Sequence, residues 1–121
     1  MQIAQKNFYK KFLGRAGENK AGEYLRKKGY EILDKNFKTH VGEIDLIVKD
    51  GETIVFVEVK TRSSENFGSP ADAVDYKKRE KYYKVATEYL LRKQKDGADC
   101  RFDVIEILNG EINHIIDAFS S

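Results

Sequence analysis

Residues 42 to 60 constrain the fold more than any other stretch. They read Gly42-Glu-Ile-Asp-Leu-Ile-Val48, a turn at Asp50-Gly51, then Ile54-Val-Phe-Val-Glu-Val-Lys60. Two β-branched runs around an Asp-Gly pair predict a β-hairpin, because that pair supplies the positive φ angles of a tight turn. Side chains alternate along a strand. Ile44, Leu46 and Val48 are therefore expected to share a wholly apolar face with Val55, Val57 and Val59. The opposite face carries Glu43, Asp45 and Ile47, then Ile54, Phe56, Glu58 and Lys60. A two-residue turn at Asp50-Gly51 sets Lys49 opposite Glu52, Asp45 opposite Phe56, Glu43 opposite Glu58 and Val41 opposite Lys60. Opposed Cβ atoms lie about 4.5 to 5.5 Å apart and diagonal ones about 7 to 8 Å, close enough for Asp45, Glu43 and Glu58 to share one cation. A slip by one residue would turn an apolar row to the wrong face, which specifies the register.

The chain has 121 residues, the size of one domain with a single core. It is read as one domain over residues 1–121. No apolar run reaches the roughly 20 residues of a membrane span, and Met1 to Lys11 lack a signal-peptide core. The expectation is a cytoplasmic protein with no membrane partner. The single Cys100 can form no internal disulfide and, with only His40 and His114 beside it, makes no zinc pattern. It is expected to be a buried, inert thiol. Net charge is only +2, but it is unevenly spread. Residues 1–40 hold ten basic and four acidic side chains, and residues 71–95 eight and four. Residues 41–70 hold three and six, and residues 96–121 one and six. Basic segments bracketing an acidic one suit cationic helices on a polyanion beside a carboxylate cluster that holds a metal. Lysines coating solvent-facing helices would give the same pattern.

Before the hairpin, Leu13 to Lys28 has helical spacing, with Gly14, Gly17, Glu18, Ala21, Gly22 and Leu25 on one stripe and a C-cap at Gly29. Three glycines cost helix stability at about 1 kcal/mol each relative to alanine, and close packing on a sheet is the expected compensation. Glu18 in that stripe needs a partner, either a basic residue or the acidic face of the hairpin. Tyr30 to Phe37 alternates as a strand. After Lys60 a polar loop runs to Pro70, long enough to serve as a lid or a substrate-contacting loop. A second helix begins at Ala71 or Asp75, runs to Lys95 and stops at Asp96-Gly97, with Tyr82, Val85, Ala86, Tyr89 and Leu90 on its apolar stripe. Lys78 continues that stripe, either snorkelling to water or reaching into the site. Arg101 to Leu108 is a strand, and Asn109-Gly110 signals a hairpin into Glu111 to Ile116. The order helix, three strands, helix, two strands predicts an α/β sandwich on a mixed sheet.

Hard cations such as magnesium take one or two carboxylates plus waters and substrate phosphate oxygens. Asp45, Glu58 and the Val59 carbonyl could supply that set, with Glu43 and Glu18 completing the shell or holding a second ion. Lys60 could orient or deprotonate a water, or neutralise charge on a phosphorus centre. Asp45 followed by Glu58-Val59-Lys60 resembles the PD-(D/E)XK nuclease superfamily. More closely, Gly42-Glu-Ile-Asp-Leu-Ile47 with Phe56-Val-Glu-Val-Lys-Thr-Arg62 is similar to the YraN family. The likeness extends to Gly17-Glu18, Asn36-Phe37, Gly68, Ala73-Val74, Lys78 and Arg101-Phe102-Asp103, covering about residues 14 to 108. The resemblance implies a restriction-endonuclease-like three-layer sandwich of core order αβββαβ, here with an extra C-terminal strand. It implies Asp45 and Glu58 as metal ligands, Lys60 as the catalytic lysine and Glu18 as the first-helix acid. Ile44 stands where the nominal motif has proline.

Three functional readings follow. The first is a DNA endonuclease dependent on magnesium (Mg2+), with manganese (Mn2+) able to substitute, and with Arg15, Arg62 and Lys78 on phosphates. Similarity to archaeal Holliday-junction resolvases points to branched or structured DNA, which a homodimer with two sites would cut. The second is a non-catalytic nucleic-acid-binding module on the same fold, assisting repair, recombination or processing. The third is a structural ion network, which three acids against one lysine make costly.

Overall fold

A computed structural model of the chain describes residues 2–62 and 75–120, with side chains of the first helix described from Gly14 onward. The polar loop after Arg62, the alternative helix start at Ala71, and Gly68, Ala73 and Val74 lie outside the described residues.

Helix α1, Gln2–Lys27, leads into β1, Glu31–Lys38, β2, Glu43–Asp50, and β3, Thr53–Arg62. Helix α2, Tyr76–Arg92, then leads to β4, Cys100–Leu108, and β5, Glu111–Phe119. One sheet orders its strands β1-β2-β3-β4-β5; every pair is antiparallel except β3 with β4, which run parallel across the α2 crossover. The mixed-sheet α/β expectation holds. Both faces of the sheet are covered. Ala21 and Leu25 of α1 pack with Leu46, Val48, Val55, Val57, Ile105 and Ile107. Tyr82, Val85, Ala86 and Tyr89 of α2 pack with Ile44, Ile47, Ile54, Phe56, Phe102, Val104 and Phe119.

Local chemistry explains the boundaries. Gly29, at φ 94°, closes α1: its N–H reaches Arg26 O at 2.9 Å and the Tyr30 N–H reaches Leu25 O at 3.0 Å. That pair of bonds is the Schellman pattern. Helix α2 starts at an Asp75 cap whose side chain accepts from Lys78 N at 2.9 Å. It ends at Arg92, not Lys95, because Gln94 takes φ 55° and Lys95 N–H turns back to Leu90 O at 2.8 Å. Asn109 and Gly110, at φ 51° and 84°, make the expected tight hairpin turn. Strand β5 runs three residues past the expected Ile116, around an irregularity where Asp117 has φ 55°.

Four expectations are corrected. The hairpin loop is Gly51-Glu52, with Asp50 paired to Thr53, so Lys49 faces Ile54 and Ile47 faces Phe56. Gly51, at φ 61°, takes the first loop position, and Arg101 holds Asp50 in the strand by an ion pair of 2.9 Å. The two-residue change keeps the faces of β3 and of β2 from Leu46 onward but moves Glu58 two positions closer to Asp45. Second, Ile44 does not share the α1 face with Leu46 and Val48; it is buried with Ile47 on the α2 side. The alternation slips at Asp45, where regular pairing with β3 has ended at Leu46 and Val57. Third, Cys100 is exposed, because it opens β4 at the outer end of the strand. Fourth, of the three α1 glycines expected to pack on the sheet, only Gly17 does so. A Cβ there would run into the Thr61 hydroxyl, whereas one at Gly14 or Gly22 meets nothing among the described residues.

Candidate functional site

Strand β3 outruns its partner β2. Regular pairing between them ends at Leu46 and Val57, while β3 continues beside β4 through Arg62 and Leu108. The parting of β2 from β3 opens a cleft of about 310 Å³ lined by Gly14, Glu18, Asp45, Glu58, Val59, Lys60, Thr61 and Lys78. It lies away from the Gly51 turn, whose end of the sheet is filled by Ile47, Ile54 and Phe56. Of the residues expected at the site, Glu18, Asp45, Glu58, Val59, Lys60 and Lys78 meet here. Helix α1 can deliver Glu18 because Gly17 lets its backbone lie against Thr61.

Asp45 and Glu58 form the centre. Asp45 Oδ2 accepts the Val59 N–H at 2.9 Å, taking over a main-chain donor where the ladder has stopped. Val59 therefore meets Asp45 through its amide. Burial pushes the Asp45 carboxyl up to about 9, and the neighbouring Glu58 carboxylate adds to the rise, against the pull of the Val59 N–H. Burial would raise Glu58 too, but hydrogen bonds from Asp45, Tyr82 and Lys78 outweigh it and hold Glu58 below the usual carboxylate range. Two close carboxyls cannot easily both ionise, which is why the two shifts run in opposite directions. The Tyr82 hydroxyl donates to Glu58 Oε2, and Lys78 Nζ lies 2.9 Å from the same oxygen. Burial and the Glu58 charge push the Tyr82 phenol far up, keeping it a donor.

The lysines divide. Burial, and the Lys78 ammonium beside it, hold the Lys60 ammonium below the ordinary lysine range. Lys78 is shifted up, since its bond to Glu58 outweighs burial. Burial raises Glu18, partly countered by a hydrogen bond from Asn36, and Glu43 raises it further.

Glu43 stands on the rim, ion-paired to Lys38 at 3.7 Å. It borders two further hollows. One, of about 320 Å³, includes Asp45, Glu58, Lys78, Lys81 and Tyr82. The other, of about 440 Å³, includes Arg15, Glu18, Asn36 and Lys38. Arg15 is exposed there. Arg62 is turned toward the buried Glu106, at 3.5 Å. Sequence reasoning missed Asn36 and Tyr82 as site residues. The Tyr82 signal was available, since it lies four residues from Lys78 and so on the same helix face. Asn36 stood out only as part of the family likeness, because its reach depends on a left-handed φ of 52° in β1.

Among the described residues no group of three or more His, Cys, Asp or Glu side chains is gathered to hold a metal by itself. Asp45 and Glu58 supply oxygen donors alone and face one cleft. That fits a hard divalent ion completed by waters and phosphate oxygens.

Residues 17–107 match the family described as "Uncharacterised protein family UPF0102". A UPF0102 protein of Caldanaerobacter subterraneus subsp. tengcongensis is 50% identical over 121 residues, covering 94% of this chain and 99% of that protein. One of Persephonella marina is 48% identical over 106 residues, 88% and 91%. One of Alkaliphilus oremlandii is 50% identical over 115 residues, 90% and 98%.

Proposed function

The chain belongs to the UPF0102 (YraN-like) family, and from that premise and the cleft between β2 and β3 we propose that it is a magnesium-dependent endonuclease of the PD-(D/E)XK, restriction-endonuclease-like type, hydrolysing phosphodiester bonds in DNA. The observation that carries this is that Asp45 and Glu58 line one cleft, with Lys60 two residues along β3 and Glu18 entering from α1. The restriction-endonuclease-like topology is part of the same proposal and is supported by the order of helices and strands.

Asp45 and Glu58 hold the ion. A magnesium ion held there by Asp45 and Glu58 would supply Lewis-acid polarisation of a phosphate oxygen and would acidify a water. Lys60 is suited to accept the proton of the attacking water at Nζ, because burial and Lys78 already lower its basicity. Glu18, fixed by Asn36, orients water on the α1 side. Arg15, Lys38 and Lys81 border the hollows on either side, where phosphates flanking the scissile bond would run. Branched or structured DNA is the proposed substrate, with two clefts offered by a homodimer. No helix among the described residues is long and apolar enough to cross a membrane.

The test is a panel of linear, branched and single-stranded DNAs incubated with Mg2+ or Mn2+. Wild-type protein is expected to cut at least one, Asp45→Ala none, and Lys60→Ala none while still binding. A panel left intact by the wild-type protein would reduce the activity to nucleic-acid binding.

A further inference from the structure

Lys78 stands where a helix does not favour a cation. It lies in the first turn of α2 between Lys77 and Arg79, a turn with no acidic residue, and the positive end of the helix dipole opposes it. Its side chain crosses to the sheet, where Nζ lies 2.9 Å from Glu58 Oε2. Tyr82, one turn further along, donates to the same oxygen. The two donors differ in freedom: Tyr82 is 7% exposed, whereas the Lys78 side chain is 37% exposed. Glu58 Oε2 would keep its Tyr82 bond if Lys78 left, so no buried acceptor would be stranded. Lys78 also borders two hollows, the central cleft with Glu18 and Lys60 and the neighbouring one with Glu43 and Lys81. An ammonium leaving Glu58 has polar space beside it.

We infer that Lys78 is the protein's own counter-cation for Glu58: its ammonium neutralises that carboxylate in the ion-free protein, gives way to a divalent cation, and is then available to a phosphate of the nucleic acid. This rests on the metal-dependent reading above and adds a coupling to it. Two cations contend for one carboxylate, so Lys78 and the ion exclude each other at Glu58. A phosphate that holds Lys78 favours the state in which the ion has Glu58. By linkage, ion and polyanion must strengthen each other by the same factor.

The experiment titrates Mg2+ against wild type, Lys78→Met, Tyr82→Phe and Asp45→Asn, reading the rise in melting temperature. It then measures Ca2+ affinity with and without a short DNA duplex at fixed ionic strength. Lys78→Met is expected to bind Mg2+ at least about fivefold tighter than wild type, and Tyr82→Phe no tighter. The duplex is expected to tighten Ca2+ binding by a larger factor in wild type than in Lys78→Met. In wild type the Lys78 ε-methylene resonance should shift over the same Mg2+ range, a readout that survives if Lys78→Met fails to fold. Unchanged or weaker Mg2+ binding in Lys78→Met, a duplex without effect on wild type, or a silent Lys78 resonance would each overturn the inference alone, provided Asp45→Asn still abolishes ion binding. A wild-type protein whose melting ignores both ions would overturn the metal-dependent reading and the inference with it.

Discussion

Asp45 is an acid that the fold keeps protonated, and stability against pH follows from that. Its folded pKa is about 9, against an ordinary value near 3.8. The folded chain therefore holds a proton that the unfolded chain has released, and this stabilisation, complete below the unfolded value, is lost as pH rises through the folded one. The slope for an isolated group is about 1.4 kcal/mol per pH unit; it is smaller here, since Asp45 is linked to the buried Glu58 and is itself only partly buried. Melting temperature in a chelator should fall between pH 5 and pH 9 in wild type. The fall should flatten in Asp45→Asn, whose amide can donate to Glu58 without titrating. Asp103 is the opposite case. It is wholly buried, and burial alone would raise its pKa. His114 Nε2 at 2.7 Å, Arg101 Nε at 3.0 Å and the Asp117 N–H at 2.9 Å outweigh that and hold it down. Arg101 also reaches Asp50 and the Tyr30 hydroxyl, and His114 meets the Tyr24 hydroxyl, so one carboxylate ties α1, β2, β4 and β5 together. Asp103→Ala should cost about 3 to 5 kcal/mol in denaturant unfolding, because it leaves the buried His114 imidazole and the partly buried Arg101 guanidinium without their shared acceptor.

At the scale of elements, helix α1 meets the sheet at one glycine. Gly17 lies against Thr61 and Ile107, so Gly17→Val should destabilise the protein by about 1 to 3 kcal/mol through overpacking. It should also draw Glu18 away from Asp45. Gly22→Ala, where a Cβ meets nothing, should instead stabilise by about 0.5 to 1 kcal/mol from helix propensity alone. Chemical unfolding of both variants separates a glycine required for approach from one that is merely tolerated. The strip of small residues was legible in the sequence, but not which glycine carried the contact, since the crossing point of α1 on β3 depends on packing. The hairpin shows the same division. Its β-branched runs and Asp50-Gly51 announced two strands, yet the loop fell one residue later than the Asp-Gly pair suggested. Arg101, 51 residues away from Asp50, keeps that aspartate in the strand. No local pattern contains such a partner.

For the whole molecule, the proposed DNA path distinguishes exposed basic residues from internal ones. Arg15 is exposed beside the hollow of Glu18 and Glu43, so Arg15→Ala should reduce the slope of log K against log salt by about one in duplex-binding titrations. Arg62 pairs with a Glu106 side chain only 10% exposed, so Arg62→Ala should lower melting temperature and leave that slope nearly unchanged. The sequence by itself determined the order of helices and strands, the apolar faces of β3 and α2, the Schellman stop at Gly29 and the presence of Asp45, Glu58 and Lys60 on one hairpin. Those are properties of local periodicity and turn chemistry, which neighbouring residues decide. Only the tertiary structure decided that β2 parts from β3 at Asp45, that Ile44 turns to the α2 side, that Asn36 and Tyr82 line the hollows beside the cleft, and that Lys78 grips Glu58 rather than solvent. Each of these is set by contacts between segments distant in the chain, where burial of an acid makes a partner necessary and the packing of two helices on one sheet determines which partner is within reach.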